Sequence, residues 1–186
     1  MQDLIQALQQ ALPLAIREMN EQRIPLLERA WGRSFRDEMA NESQVTVEIA
    51  KNYARPLNNA IFRRVRELVP EFQENTINGS DYSLRGVLIE DKNSFSEGDG
   101  WVGNGFAKTP LHLLKKFTVN ADGRITGCFA ALVDLSQCTS GWSAKTTDTN
   151  RSTIQFVVAD LPQIQVITGS IRAKKKYLAP VIAEIG

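Results

Sequence analysis

The chain has 186 residues, 42% of them hydrophobic and 23% charged, a balance that suits one folded domain with ample material for a buried core. Its net charge of +1 excludes a global electrostatic field as the means of meeting an anionic partner, which would have to find a local patch. No run of 18 or more apolar residues is present and the N-terminus does not read as a signal peptide, so a cytoplasmic protein with no membrane partner is expected.

Residues 3–23 read as an amphipathic helix with Asp3 as its cap, because Leu4, Leu8, Ala11, Leu12, Ala15, Ile16 and Met19 recur at helical spacing. Pro13 is expected to kink or divide it, and Pro25 to open a second helix carrying Leu26, Leu27, Ala30, Trp31 and Phe35. This helical front serves either a subunit interface or one face of a sheet. Residues 43–53 fit two patterns: Val45, Val47 and Ile49 alternate like a strand, whereas Val45, Ile49 and Tyr53 share a helical face. From Pro56 to Val69 the reading is helical, with Pro70 ending it. Arg63, Arg64 and Arg66 on that helix suit either phosphate contacts or a solvated face.

The stretch from Asp81 to Asn93 carries the most chemistry. Val87-Leu88-Ile89 is an apolar strand that runs directly into Glu90-Asp91-Lys92. Period-two geometry puts Glu90 and Lys92 on one face and Asp91 on the other, so Asp91 is left out of the candidate set. Asn78-Gly79 is a hairpin-turn signal, and a hairpin or bend there would fold Asp81 back beside Glu90. Two carboxylates would then offer hard oxygen ligands to Mg²⁺, which needs only one or two protein acids. Lys92 could orient an attacking water or stabilise developing negative charge.

Residues 93–109 hold four glycines, and are expected as a loop that approaches a partner's backbone closely. Within it Asn93, Ser94, Ser96 and Asn104 are suited to base edges and Lys108 to a phosphate. The glycine spacing matches no nucleotide-binding fingerprint, which excludes a P-loop. His112, the only histidine, lies in a short helix or a strand and has no companion for a zinc site. Asp122-Gly123 marks a hairpin turn before a central strand at Ile125–Leu135. Ser136 to Ser152 reads as a long polar loop, either DNA-facing or merely superficial, followed by a second buried strand at Ile154–Val158 and a short edge strand at Ile164–Thr168. The run from Arg172 to Lys176 fits phosphate contacts and a solvated tail equally. Cys128 and Cys138, without metal-ligand spacing, are expected as free thiols in a reducing compartment.

Helices first and strands after predict an α+β fold, α/β/α-like, with a mixed central β-sheet flanked by helices. The expected organisation is one domain over 1–186, with 1–70 mainly helical and available for dimerisation, and 71–186 forming the sheet core and partner-facing loops.

Through Asp81 and the triplet Glu90-Asp91-Lys92, the sequence resembles the PD-(D/E)xK nuclease superfamily, and more narrowly the small type II restriction endonucleases. Ser80 stands where the pattern's proline would precede Asp81, and the detailed similarity spans roughly residues 77–135. The resemblance implies a restriction-endonuclease-like core that hydrolyses DNA phosphodiester bonds with Mg²⁺ at a short palindromic site. It implies Asp81, Glu90 and Lys92 as catalytic residues, with Asp81 and Glu90 holding the metal. It favours a helix over residues 43–53 carrying a further acid, Glu48, or Glu42 in its place. The segment after Lys92 would lie along double-stranded DNA, and His112 would join the contacts. A homodimer would match the two-fold symmetry of the site, and a cognate DNA methyltransferase would be the genetic partner. Two other readings stay open: a repair or recombination nuclease of the same fold without sequence specificity, and a non-catalytic DNA-binding or phage-structural module whose acid–lysine pair is only an ion pair.

Overall fold

A computed structural model describes residues 1–31, 42–75, 80–95, 100–104, 109, 111–120, 122–137, 142–146, 152–157, 164–172 and 176–178. Two long helices come first, α1 (Gln2–Trp31) and α2 (Glu42–Leu68). The apolar stripe of α1, from Leu4 through Leu8, Leu12 and Ile16 to Met19, is fully buried. That stripe lies on both sides of Pro13, where a kink or a division was expected and the helix is not divided; α1 also continues through Pro25, where a second helix was expected to open. A mid-helix proline costs about 3 kcal/mol, whereas each buried Leu or Ile contributes about 1.5–3 kcal/mol. Residues 43–53 are helical, and they join the expected 56–69 helix into a single element that passes through Pro56. Tyr53, Leu57, Ala60, Ile61 and Val65 form its buried face.

Six strands form a mixed sheet in the order β1 (Phe72–Glu74), β2 (Tyr82–Leu84), β3 (Val87–Ser94), β5 (Leu111–Val119), β6 (Ile125–Asp134) and β9 (Gln165–Thr168). Only β3 and β5 pair in parallel; the other neighbours are antiparallel. The α+β reading with a mixed central sheet is therefore correct. Both helices share one core with Ile89, Leu113, Phe117, Ala130, Leu132 and Ile167, so they cover the same sheet face. The opposite face is also buried at Leu114, Phe129, Ala131 and Val133. Both described α-helices pack on the first face, and a short 3-10 turn, Leu135–Gln137, follows β6.

Two further sheets revise the expected loops. Part of the 93–109 segment is strand β4 (Gly100–Asn104), and part of the 136–152 segment is β7 (Trp142–Thr146). Both pair antiparallel with β8 (Ser152–Val157), so the expected strand at 154–158 belongs to this three-stranded sheet and not to the central one. Backbone pairing with β8 gives these polar, glycine-containing segments the partners that their side chains did not announce. Near the C-terminus β10 (Ser170–Arg172) pairs with β11 (Lys176–Leu178), so the ends of the basic run are in a two-stranded ladder.

Asp122-Gly123 turns β5 into β6 as expected, with Gly123 at φ 78° and its N–H donating to the Asn120 carbonyl at 3.0 Å. Tyr53 donates its hydroxyl proton to the Gly123 carbonyl at 2.9 Å, which ties α2 to this turn. Arg63 and Arg64 both meet the Glu18 carboxylate, at 2.7 and 2.9 Å, so two of the four arginines on α2 link the helices. Their guanidinium groups hold the Glu18 carboxyl below its usual range.

The turn that folds Asp81 back towards β3 is not the expected one. Asn78-Gly79 lies outside the described residues, and the reversal between β2 and β3 is Arg85-Gly86, where Leu84 pairs with Val87. Both central residues have positive φ, 50° and 83°, the signature of a two-residue type I′ turn. Space is open around the position of a Gly86 Cβ, so only backbone strain opposes a side chain there. Gly86→Ala should therefore lower stability by about 1–2 kcal/mol in urea denaturation. An unchanged midpoint would mean that this turn does not hold the left-handed conformation.

Candidate active site

Strand β3 alternates strictly, and the alternation sends its charges to opposite faces. Glu90 and Lys92 share one face and form an ion pair, with Glu90 6% and Lys92 29% exposed. His112 stands opposite Glu90 in the parallel register and is fully buried in β5, which settles its element as a strand. Lys116, on the same face of β5, is level with Ser94 and buried as well.

Asp91 faces the helices. Its carboxylate lies against the Lys115 ammonium, with both oxygens 2.9 Å from Nζ and a hydrogen bond through Oδ2. Each side chain is only 1% exposed. Lys115 Nζ also donates to Asn58 Oδ1 at 2.8 Å, and Asn93 Nδ2 donates to the same oxygen at 2.9 Å. A polar cluster of Asp91, Lys115, Asn58 and Asn93 thus sits between α2 and the sheet. Burial pushes the Asp91 carboxyl above its ordinary range, with the Lys115 charge pulling the other way and Asp81 adding to the rise.

Asp81 meets β3 at the seam between these faces. Its backbone N–H donates to the Ile89 carbonyl at 3.2 Å, continuing the β2–β3 ladder one step. Beyond that step β2 has ended, and the Asp91 N–H donates instead to Asp81 Oδ2 at 2.7 Å. The exposed Asp81 carboxylate is therefore bonded to the peptide that joins Glu90 to Asp91. Nearby, the Ser80 and Thr109 hydroxyls are buried and 2.7 Å apart, fastening the approach to β2 to the approach to β5.

The sequence-derived candidates divide accordingly. Glu90 and Lys92 are paired on one face of β3, and Asp81 is bonded at the strand edge through the Asp91 N–H. Asn93, the penultimate residue of β3, points to the helices and Asn58, which removes it from the expected partner-facing set. Ser94 ends the same strand half-buried, and Asn104 ends β4. Ser96 and Lys108 lie outside the described residues, as does the Glu48 side chain, although Glu48 itself is on α2. No cluster of three or more His, Cys, Asp or Glu side chains able to hold a metal occurs among the described residues. Cys128 is a free, buried thiol whose pKa burial pushes up to about 12, so it is inert.

Sequence reasoning missed Lys115 altogether. Its signal was present, since a lysine at an inward position of the apolar strand Leu111–Val119 must find a buried acid.

No family model and no curated protein matches the chain. One solved structure is similar to it, XiaF from Streptomyces sp. in complex with FADH2 and glycerol, at 11% identity and a TM-score of 0.25. The match covers 95% of this chain and 52% of that one, so the chain spans about half the length of that protein. A likeness this slight carries no argument about fold or function.

Removing the ammonium that faces Asp91 gives a prediction with a definite sign. Lys115→Ala should lower stability by about 3–5 kcal/mol near neutral pH, because it leaves a buried charge without its partner. The Asp91 pKa then rises further above its unfolded value. Stability is full below the unfolded pKa and is lost as pH rises through the folded one. Urea denaturation should accordingly show a smaller deficit at pH 5 than at pH 8, and a deficit that grows towards low pH would contradict the buried pairing.

Proposed function

We propose that this protein is a Mg²⁺-dependent endodeoxyribonuclease of the type II restriction class, acting as a homodimer on double-stranded DNA at a short palindromic site. The observation that carries the reading is the convergence at β3: Glu90 paired with Lys92 on one face, and the Asp81 carboxylate bonded at the Glu90–Asp91 peptide. This acid, acid and lysine set is the one whose spacing resembles the PD-(D/E)xK nucleases.

The donors suit the metal. Asp81 and Glu90 supply hard carboxylate oxygens, and Mg²⁺ takes one or two of these and keeps several waters. When bound, the ion supplies Lewis-acid stabilisation of phosphate charge and lowers the pKa of a coordinated water. The chain's own residues do the rest. Lys92, held by Glu90 and partly exposed, is placed to orient a water and to stabilise negative charge developing on the phosphoryl oxygens. Asp81, being exposed, offers the outer of the two carboxylates. Glu48, on α2, is retained as a candidate further acid. Ser94 and Asn104, and with them Ser96 and Lys108, remain the proposed DNA-contacting set, whereas His112, expected among the contacts, is fully buried in β5 and leaves it.

A second reading draws on a specific observation. Lys92 is paired to Glu90, and one Asp81 oxygen is bonded to backbone, an arrangement that a non-catalytic DNA-binding module with a structural ion pair would also show. Digestion of unmethylated DNA with and without Mg²⁺, with Lys92→Ala as control, separates the readings. Discrete Mg²⁺-dependent fragments, lost in Lys92→Ala, are expected, with a rate loss of at least about 100-fold. A Mg²⁺-dependent smear would move the function to non-specific repair or recombination cleavage, and intact DNA from folded protein would favour the binding module.

A further inference from the structure

Burying an ion pair beneath a helix is an expensive way to fill a core. Apolar side chains of similar volume at positions 91 and 115 would do so at equal or lower free energy. What apolar side chains lack is direction. Lys115 Nζ bonds Asp91 on β3 and Asn58 on α2 together, and Asn58 Oδ1 takes Asn93 as a second donor. These three bonds fix β3 at one height relative to α2 and β5. They act on either side of residue 92, and residue 91 is the one whose backbone N–H holds Asp81.

We infer that Asp91 and Lys115, through Asn58, are positioning residues for Glu90 on the far side of β3 and for Asp81 at its edge. Their buried pair holds the Glu90–Asp91 peptide in place, and so holds the two acids attached to it, Glu90 through the chain and Asp81 through its bond to the Asp91 N–H. Neither residue touches substrate or metal; each acts through the peptide between the two acids. The inference rests on the nuclease reading for its consequence in catalysis, though not for the mechanical link itself. Residues that orient metal ligands in this way typically change affinity or activity by about 10–100-fold when altered.

The single variants leave a buried charge unpaired and unfold more readily, so the decisive protein is the double variant Asp91→Leu with Lys115→Met. It removes both charges, and its melting temperature should match or exceed that of the unaltered protein. Three measurements on the full chain are then expected to change together. Amide exchange at the Asp91 N–H, read by NMR, should accelerate at least about 10-fold relative to neighbouring β3 amides. Mg²⁺ affinity, measured by calorimetry without DNA, should fall by about 10–100-fold. The cleavage kcat should fall by a similar factor while DNA affinity in Ca²⁺ stays the same.

A stable double variant with unaltered exchange at Asp91 and unaltered Mg²⁺ affinity overturns the inference, leaving the pair as packing alone. A chain that cuts no DNA overturns the nuclease reading instead. The exchange and calorimetric results then still decide whether the pair positions the two acids. Where the double variant melts lower, Asp91→Asn with Lys115→Gln, which keeps the hydrogen bonds without the charges, should retain Asp91 protection. Lost protection in that variant also counts against the inference.

Discussion

A lysine ammonium buried to 1% exposure is tolerable only if its charge is met, and in this fold the Asp91 carboxylate meets it. Much of the architecture around β3 follows from that one contact. It bridges the single parallel strand pair of the sheet, whose members are separated in the chain by the excursion through β4. A slip of one residue between β3 and β5 would turn Asp91 or Lys115 to the wrong face and leave the other buried alone. An apolar pair in the same place would resist such a slip less, since burial is not directional. Asn58 extends the constraint to α2, and the aromatic cluster of Phe62, Phe72 and Tyr82 carries it to the β1–β2 edge.

The same constraint determines what the other face of β3 presents. Residues of a strand alternate, so fixing Asp91 and Asn93 under α2 fixes Glu90 and Lys92 opposite. Two ion pairs therefore occupy adjacent positions of one strand without competing for each other's partners. The inner pair is desolvated and rigid, as structural work requires. In the outer pair Lys92 keeps partial access to solvent, as a group that is to meet a water or a phosphate must.

The local signals in the sequence carried most of the elements. Helical spacing located α1 and the second half of α2, the Asp122-Gly123 turn located the β5–β6 hairpin, and the run into Glu90 located β3. Alternation within β3 was enough to separate Asp91 from Glu90 and Lys92. The errors share a cause, which is that long-range packing overrode a local preference. Pro25 and Pro56 read as the starts of helices because the packing of whole helices onto the sheet is not a local property. Segments β4 and β7 read as loops because their stabilising partner is β8, about 50 and 10 residues further along the chain. Arg85-Gly86 was passed over because arginine is an unusual occupant of the first left-handed position, where asparagine or aspartate is the common one. The Asp91–Lys115 pair joins residues on two strands, and nothing in either strand alone names the other.

Asp81 shows how a structural and a chemical role can share one side chain. Strand β3 outruns β2, so its edge beyond Ile89 has a backbone donor, Asp91 N–H, with no strand to receive it. An unmet donor at a half-buried position costs about 1–3 kcal/mol, and the Asp81 carboxylate removes that cost with one oxygen. A carboxylate has about four acceptor sites on its two oxygens, so capping the edge uses a minor part of its capacity. The cap also orients what is left, because the bonded oxygen fixes the plane of the group beside the peptide that carries Glu90. Terminating β2 early thus does two things at once. It leaves the Asp91 N–H without a strand partner, and it makes the acid that closes the ladder an exposed one.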